Sequence, residues 1–129
     1  MILIVDDQPD IARALAMLLE DSGYEAEVAG SGHEALESLQ DRTPQAVILD
    51  MMMPDMDGSA VLRAMRSDPD MRRVPVVVFS ADASQSRIDQ TIRLGANDYV
   101  IKGANSWDDL RTRIERVLAE PEATTVERQ

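Results

Sequence analysis

Five residues able to bind a cation or a phosphate stand directly after short apolar runs. Asp6 and Asp7 follow Ile2-Leu-Ile-Val5, Asp50 follows Ala46-Val-Ile-Leu49, Ser80 follows Val74 to Phe79, and Lys102 follows Asp98 to Ile101. If these runs are strands of one parallel sheet, their carboxyl ends bring three carboxylates, a hydroxyl and an ammonium together. Uncompensated, the carboxylates disfavour one another's ionisation, so the cluster calls for a bound cation. Only oxygen ligands are on offer and they are few. A hard ion that keeps room for water and phosphate oxygens follows, Mg²⁺ or Mn²⁺ rather than a caged Ca²⁺. The chemistry that uses such a set is phosphoryl transfer to a carboxylate, with cation, ammonium and hydroxyl each holding a phosphoryl oxygen. Asp50, ending a central-looking strand, is the natural nucleophile.

The elements that must position these groups are legible as an alternation of β-branched runs with stretches whose apolar residues lie three and four apart. Ile2 to Val5 reads as a strand buried on both faces, and Pro9 suits the first turn of a helix with Ile11, Leu15, Leu18 and Leu19 inward, closed by Gly23. Tyr24 to Val28 alternates as a half-exposed second strand, and Ser31-Gly-His-Glu34 is a capping box opening a helix with Ala35, Leu36 and Leu39. Ala46 to Leu49 is the third strand, and Val61, Leu62 and Met65 mark the third helix. Val74 to Phe79 is a central-looking fourth strand. Ser84 caps a fourth helix with Ile88, Ile92 and Leu94 inward, stopped by Gly95. Asp98 to Ile101 is the fifth strand, and Ser106, with Asp109 three residues on, opens a last helix lined by Leu110, Ile114, Val117 and Leu118. Five strands with helical crossovers predict an α/β, doubly wound (βα)5 domain with a parallel sheet.

Asp6-Asp7 after the first strand, Asp50-Met-Met-Met-Pro-Asp-Met-Asp-Gly58, Ser80-Ala81 and Tyr99-Val-Ile-Lys102 together resemble the receiver signature of two-component response regulators, of the chemotaxis-regulator kind. The resemblance covers residues 1–119. It implies the flavodoxin-like strand order 2-1-3-4-5. It further implies that Asp50 is the phosphoacceptor, that Asp7 and Asp50 are metal ligands with Asp6 acting mainly through bound water, and that the backbone carbonyl of Met52 completes the set. Ser80 then binds a phosphoryl oxygen and follows it inward, Lys102 pairs with another, and Tyr99 is the aromatic whose rotamer reports the switch. The implied partners are a sensor histidine kinase or histidine phosphotransfer protein as donor, and a downstream effector or attached output domain that reads the face of the fourth helix, fifth strand and fifth helix. In such a protein the chain promotes only its own phosphorylation and dephosphorylation and is not otherwise an enzyme. One departure stands out. The family places proline, in a cis peptide, after the lysine, and here Gly103 follows, on a path to the last helix that reads one residue longer. A cis bond without proline costs about 2.5 to 4 kcal/mol, so a trans peptide and an altered loop are predicted. At the two positions where the family tunes water access to the acyl phosphate stand Met52 and Asp82.

At 129 residues the chain fits one domain, and it has no cysteine, which removes disulfides, thiolate metal sites and cysteine nucleophiles. Thirteen Lys and Arg against 24 Asp and Glu give a formal charge of -11, which repels phosphate backbones and argues against nucleic-acid binding by this domain. Its apolar runs are too short for a membrane span, and the expectation is a cytoplasmic protein. Residues 120–129 have Pro121 and no apolar periodicity and read as a disordered tail or linker. Blander readings compete at single residues. Adjacent acids can serve only a helix N-terminus, Met51, Met52, Met53 and Met56 read as packing rather than copper ligands, and His33 reads as a surface residue. Trp107 either packs at the start of the last helix or stands exposed as a partner anchor. Two other functions fit the residue types: an unphosphorylated interaction module of the same fold, and a small aspartyl-nucleophile phosphatase. The phosphatase is disfavoured because its paired acids have a residue between them, whereas Asp6 and Asp7 are adjacent.

Overall fold

In the computed structural model, which describes residues 1–119, short apolar runs and amphipathic helices alternate along the chain. They are β1 (Ile2–Val5), α1 (Pro9–Asp21), β2 (Ala26–Ala29), α2 (Gly32–Asp41), β3 (Ala46–Leu49), α3 (Gly58–Ser67), β4 (Val76–Ser80), α4 (Gln85–Arg93), β5 (Asp98–Ile101) and α5 (Trp107–Ala119). The strands form one parallel sheet in the order β2-β1-β3-β4-β5. This is the expected doubly wound α/β architecture. The expected tail, 120–129, lies outside the described residues.

Side-chain alternation divides the core into two layers. Leu3, Val5, Val47, Leu49, Val76 and Val78 face α2 and α3, where Ala35, Leu39, Val61, Leu62 and Met65 meet them. Ile2, Ile4, Ala46, Ile48, Val77, Phe79 and Val100 face α1 and α5, against Leu15, Leu19, Leu110 and Ile114. Because β1, β3 and β4 are covered on both faces, their residues are apolar throughout except for Ser80, which ends β4 at the site's edge.

Three elements differ from the sequence reading. β2 begins at Ala26 rather than Tyr24, and its Val28 stays 46% exposed because this is the sheet's edge. β4 begins at Val76, because Pro75 lacks the N–H a ladder requires, and it flanks the central strand, which is β3. On α4, Ile92 is 43% exposed and Thr91 takes the inward position, its hydroxyl donating to the Arg87 carbonyl at 2.7 Å. Ser84 holds the N-cap position of α4 without making a capping bond. The cap of α2 is as expected, the Ser31 hydroxyl accepting from the Glu34 N–H at 3.1 Å, but Glu34 reaches back to the Gly30 N–H rather than to that of Ser31. No described helix is long and apolar enough to cross a membrane.

Candidate phosphoacceptor and metal site

Strand register assembles the site. Val5 pairs with Leu49, and the next step along both chains sets Asp6 beside Asp50, whose N–H donates to the Val5 carbonyl at 2.9 Å. Ser80 pairs with Ile101, and the Lys102 N–H donates to the Ser80 carbonyl at 2.9 Å, so the hydroxyl and the ammonium arrive at the same edge. Asp6, Asp7 and Asp50 each offer an oxygen within 4.8 Å of the others. Asp6 and Asp50 are buried, and Asp7 is half-buried.

Lys102 Nζ lies 2.8 Å from Asp6 Oδ2 and 3.2 Å from Asp50 Oδ2, and it also donates to Gln8 Oε1 at 2.9 Å. It stands 5.7 Å from the centre of the Phe79 ring, which stacks at 57° on Trp107 with centroids 5.7 Å apart. The tryptophan therefore both packs at the start of α5 and stays 43% exposed. Burial pushes the Asp50 carboxyl above its usual range, and the Asp6 charge adds to this, while the Met52 N–H on Asp50 Oδ1 at 3.2 Å and the Lys102 charge pull it back. A single ammonium faces three carboxylates, all hard oxygen donors. That set fits a divalent oxygen-seeking cation such as Mg²⁺.

Asp7, Gln8, Asp50, Met52, Ala81 and Lys102 line an opening of about 210 Å³ over this cluster. Met51 and Met53 are buried in the core and Met56 packs against it, while the Met52 side chain is 57% exposed at the rim. Gly58 is required by close approach: a Cβ there would sit 2.5 Å from the Asp50 carbonyl oxygen and 2.7 Å from Met51 Cα. Ser80 is fully buried, and its hydroxyl accepts from the Asp82 N–H at 3.4 Å. Tyr99 is turned inward, its hydroxyl donating to the Asp82 carbonyl at 2.6 Å. Gly103 adopts φ +82°, and no cis peptide occurs among the described residues, as the missing proline predicted. His33 is exposed on α2, its Nδ1 2.7 Å from Asp55.

A family model described as the response regulator receiver domain matches residues 2–115. The chain belongs to that family. This receiver domain is 37% identical over 101 residues to the DNA-binding response regulator MtrA of Mycolicibacterium smegmatis, a match covering 78% of this chain and 43% of the relative. It resembles the receiver domain of NtrX from Brucella abortus at TM-score 0.85 and 32% identity, over 94% of this chain and 100% of that one. It also resembles response regulator TrrA from Thermotoga maritima, solved in complex with Mg²⁺-BeF, at TM-score 0.79 and 31% identity, over 90% and 96% of the two chains. The chain spans between a quarter and about half the length of the curated relatives it matches.

Every residue singled out in the sequence as a candidate ligand or phosphoryl contact thus lies at one edge of the receiver domain's sheet. Two residues of this region escaped sequence reading. Gln8 reaches Lys102, and Arg87 on α4 reaches Asp57 and the Met51 carbonyl. Gln8 carried a weak signal, since glutamine is not a favoured N-cap. Arg87 carried none, because a cation on a helix is usually a solvated one.

Proposed function

We propose that the chain is a phosphorylation-controlled signalling switch in which Asp50 accepts a phosphoryl group from a phosphohistidine of a sensor kinase or phosphotransfer protein. The observation that carries this reading is the buried Asp50 carboxylate, 3.2 Å from Lys102 Nζ and within 4.8 Å of ligand oxygens on Asp6 and Asp7. An oxygen of Asp50 attacks phosphorus as the bond to the donor's histidine nitrogen breaks, and an acyl phosphate forms. Lys102 neutralises one phosphoryl oxygen, and the Ser80 hydroxyl bonds another. Asp6, Asp7, Asp50 and the Met52 carbonyl would hold Mg²⁺, or Mn²⁺ in its place, which when bound would supply Lewis-acid neutralisation of carboxylate and phosphoryl charge. The donor binds over the opening lined by Gln8, Met52 and Ala81.

The added charge biases a two-state equilibrium that Ser80 and Tyr99 report, and the surface of α4, β5 and α5 transmits it to an effector or attached output domain. Support for that surface is the polar link from Ser80 through the Asp82 backbone to the Tyr99 hydroxyl on β5. Beyond forming and losing its own acyl phosphate, the chain catalyses nothing. The phosphohistidine donor, the output face and a cytoplasmic setting belong to this proposal.

The test is intact-mass analysis after incubation with acetyl phosphate and Mg²⁺. One added phosphate, absent in Asp50→Asn and without metal, is expected. No adduct in the wild-type chain would move the weight to an interaction module that keeps the fold without being phosphorylated.

A further inference from the structure

We infer that Gln8 is a positioning residue for the phosphoryl-accepting site, holding the Lys102 ammonium on Asp6 and over Asp50 so that phosphoryl oxygens meet a fixed cation. The inference rests on the phosphoacceptor role proposed for Asp50.

Gln8 occupies the N-cap of α1 with extended backbone, yet its side chain makes no capping bond. Short side chains cap well because their oxygen folds back onto an N–H two or three residues on. Glutamine is a methylene longer than asparagine, and its carbonyl instead reaches Lys102 Nζ at 2.9 Å, across 94 residues of sequence. The backbone N–H of the same residue donates to Asp6 Oδ1 at 2.9 Å, and Asp6 Oδ2 takes Lys102 Nζ at 2.8 Å. A closed ring results. Gln8 grips both members of the Asp6 and Lys102 ion pair, one through its backbone and the other through its side chain.

An ammonium has three N–H donors. Gln8 Oε1 at 2.9 Å and Asp50 Oδ2 at 3.2 Å accept hydrogen bonds from Lys102 Nζ, and Asp6 Oδ2 stands 2.8 Å away as its ion-pair partner. The longest of these is the one that phosphorylation of Asp50 redirects, while Asp6 and Gln8 keep the other two. A lysine stem is flexible, and this one precedes a glycine at φ +82°, so the acceptors at its tip decide where the charge sits. The Gln8 acceptor is neutral. It directs Nζ without adding a fourth carboxylate to the cluster.

Gln8 is exposed, so Gln8→Met keeps the side-chain length and removes the acceptor at little cost to folding. Gln8→Ala, which shortens it, is expected to behave alike, and Gln8→Glu restores an acceptor. In the metal-free protein, the ¹H–¹⁵N resonance of the Lys102 ammonium, protected by its two hydrogen bonds and its ion pair with Asp6, is expected in the wild type, lost in Gln8→Met and restored in Gln8→Glu. With Mg²⁺ saturating, calorimetry is expected to find beryllofluoride bound about three- to ten-fold more weakly by Gln8→Met and Gln8→Ala, the net scale of one ordinary hydrogen bond. Mg²⁺ affinity measured alone is expected to change by less than about two-fold, since the carboxylates remain. Undiminished beryllofluoride affinity in Gln8→Met would overturn the inference and leave the phosphoacceptor reading standing. A parallel loss of Mg²⁺ affinity would also overturn it, because Gln8 would then act through the acids. A wild-type chain that fails to bind beryllofluoride would remove both.

Discussion

Arg87 on α4 and Asp57 at the N-cap of α3 are joined directly, one guanidinium nitrogen lying 2.7 and 2.8 Å from the two carboxylate oxygens. The same nitrogen reaches the carbonyl of Met51, the residue after Asp50, at 3.4 Å, so α4 is tied to the loop that carries the phosphoacceptor. The tie counts for more because α4 has weak apolar anchoring, with Ile92 exposed and Thr91 its buried residue. Desolvation opposes the charge on Asp57, but Arg87 and the Ser59 N–H outweigh it and hold the carboxyl below its usual range. The Arg87 Nε is buried without a partner among the described residues, so the guanidinium is not fully satisfied there. A double-mutant cycle with Arg87→Ala and Asp57→Ala, read by urea unfolding, is expected to give a coupling of about 1 kcal/mol. Faster amide exchange in α4 should accompany either single change. A coupling near zero would show that α4 is held by packing instead.

The carboxylate cluster makes the metal-free fold less stable than it could be. Burial raises the Asp50 carboxyl, so ionising it costs more in the folded chain than in the unfolded one. Asp50→Asn is therefore expected to unfold at higher urea than the wild type in chelator. Mg²⁺ should reverse the ranking: a ligand at 100 times its dissociation constant stabilises by about 2.7 kcal/mol, and Asp7→Asn or Asp50→Asn should lose most of that gain. Equal Mg²⁺ stabilisation of all three chains would place the cation elsewhere.

Asp55 sets an acid limit on the loop after β3. The His33 N–H leads the interactions that lower its carboxyl, and with the Gly32 N–H and the His33 ring it outweighs the opposing desolvation, so the pKa falls to about 2 from an ordinary 3.8. A lowered carboxylate stabilises the fold above its unfolded value, and the contribution is lost as pH falls through the folded value. The expected loss lies between about pH 4 and pH 2. Thermal unfolding across that window should show a shallower acid decline in Asp55→Asn than in the wild type. Matching slopes would mean that the Asp55 contacts persist in the unfolded chain or do not form.

Gly58 is a packing requirement placed beside the chemistry. A methyl at that position meets the Asp50 carbonyl oxygen and the Met51 backbone, neither of which can yield as a flexible side chain would. Gly58→Ala is expected to destabilise by about 1 to 3 kcal/mol in urea unfolding, the cost of overpacking a filled core. It should also slow acetyl phosphate labelling, because the carbonyl it displaces belongs to Asp50 itself. Wild-type stability would show that the loop relaxes freely.

The five strands, the two-sided burial of β1, and the identity of the acids, the hydroxyl and the lysine were legible from residue types alone. Periodicity reports burial, and residues that immediately follow buried parallel strands must emerge at one edge of the sheet. Gly103 likewise announced a trans loop, because only proline makes a cis bond inexpensive. Periodicity could not say that Ile92 faces water while Thr91 faces the core, since the pitch of a short helix against its sheet depends on neighbours distant in sequence. Nor could it pair Gln8 with Lys102 or Arg87 with Asp57. Those contacts depend on where long, flexible side chains find acceptors once β1, β3 and β5 are in register, and that register exists only in the folded sheet. Residue order alone determined which chemistry gathers at the sheet's edge, and the tertiary structure decided which neutral and charged neighbours hold it in place.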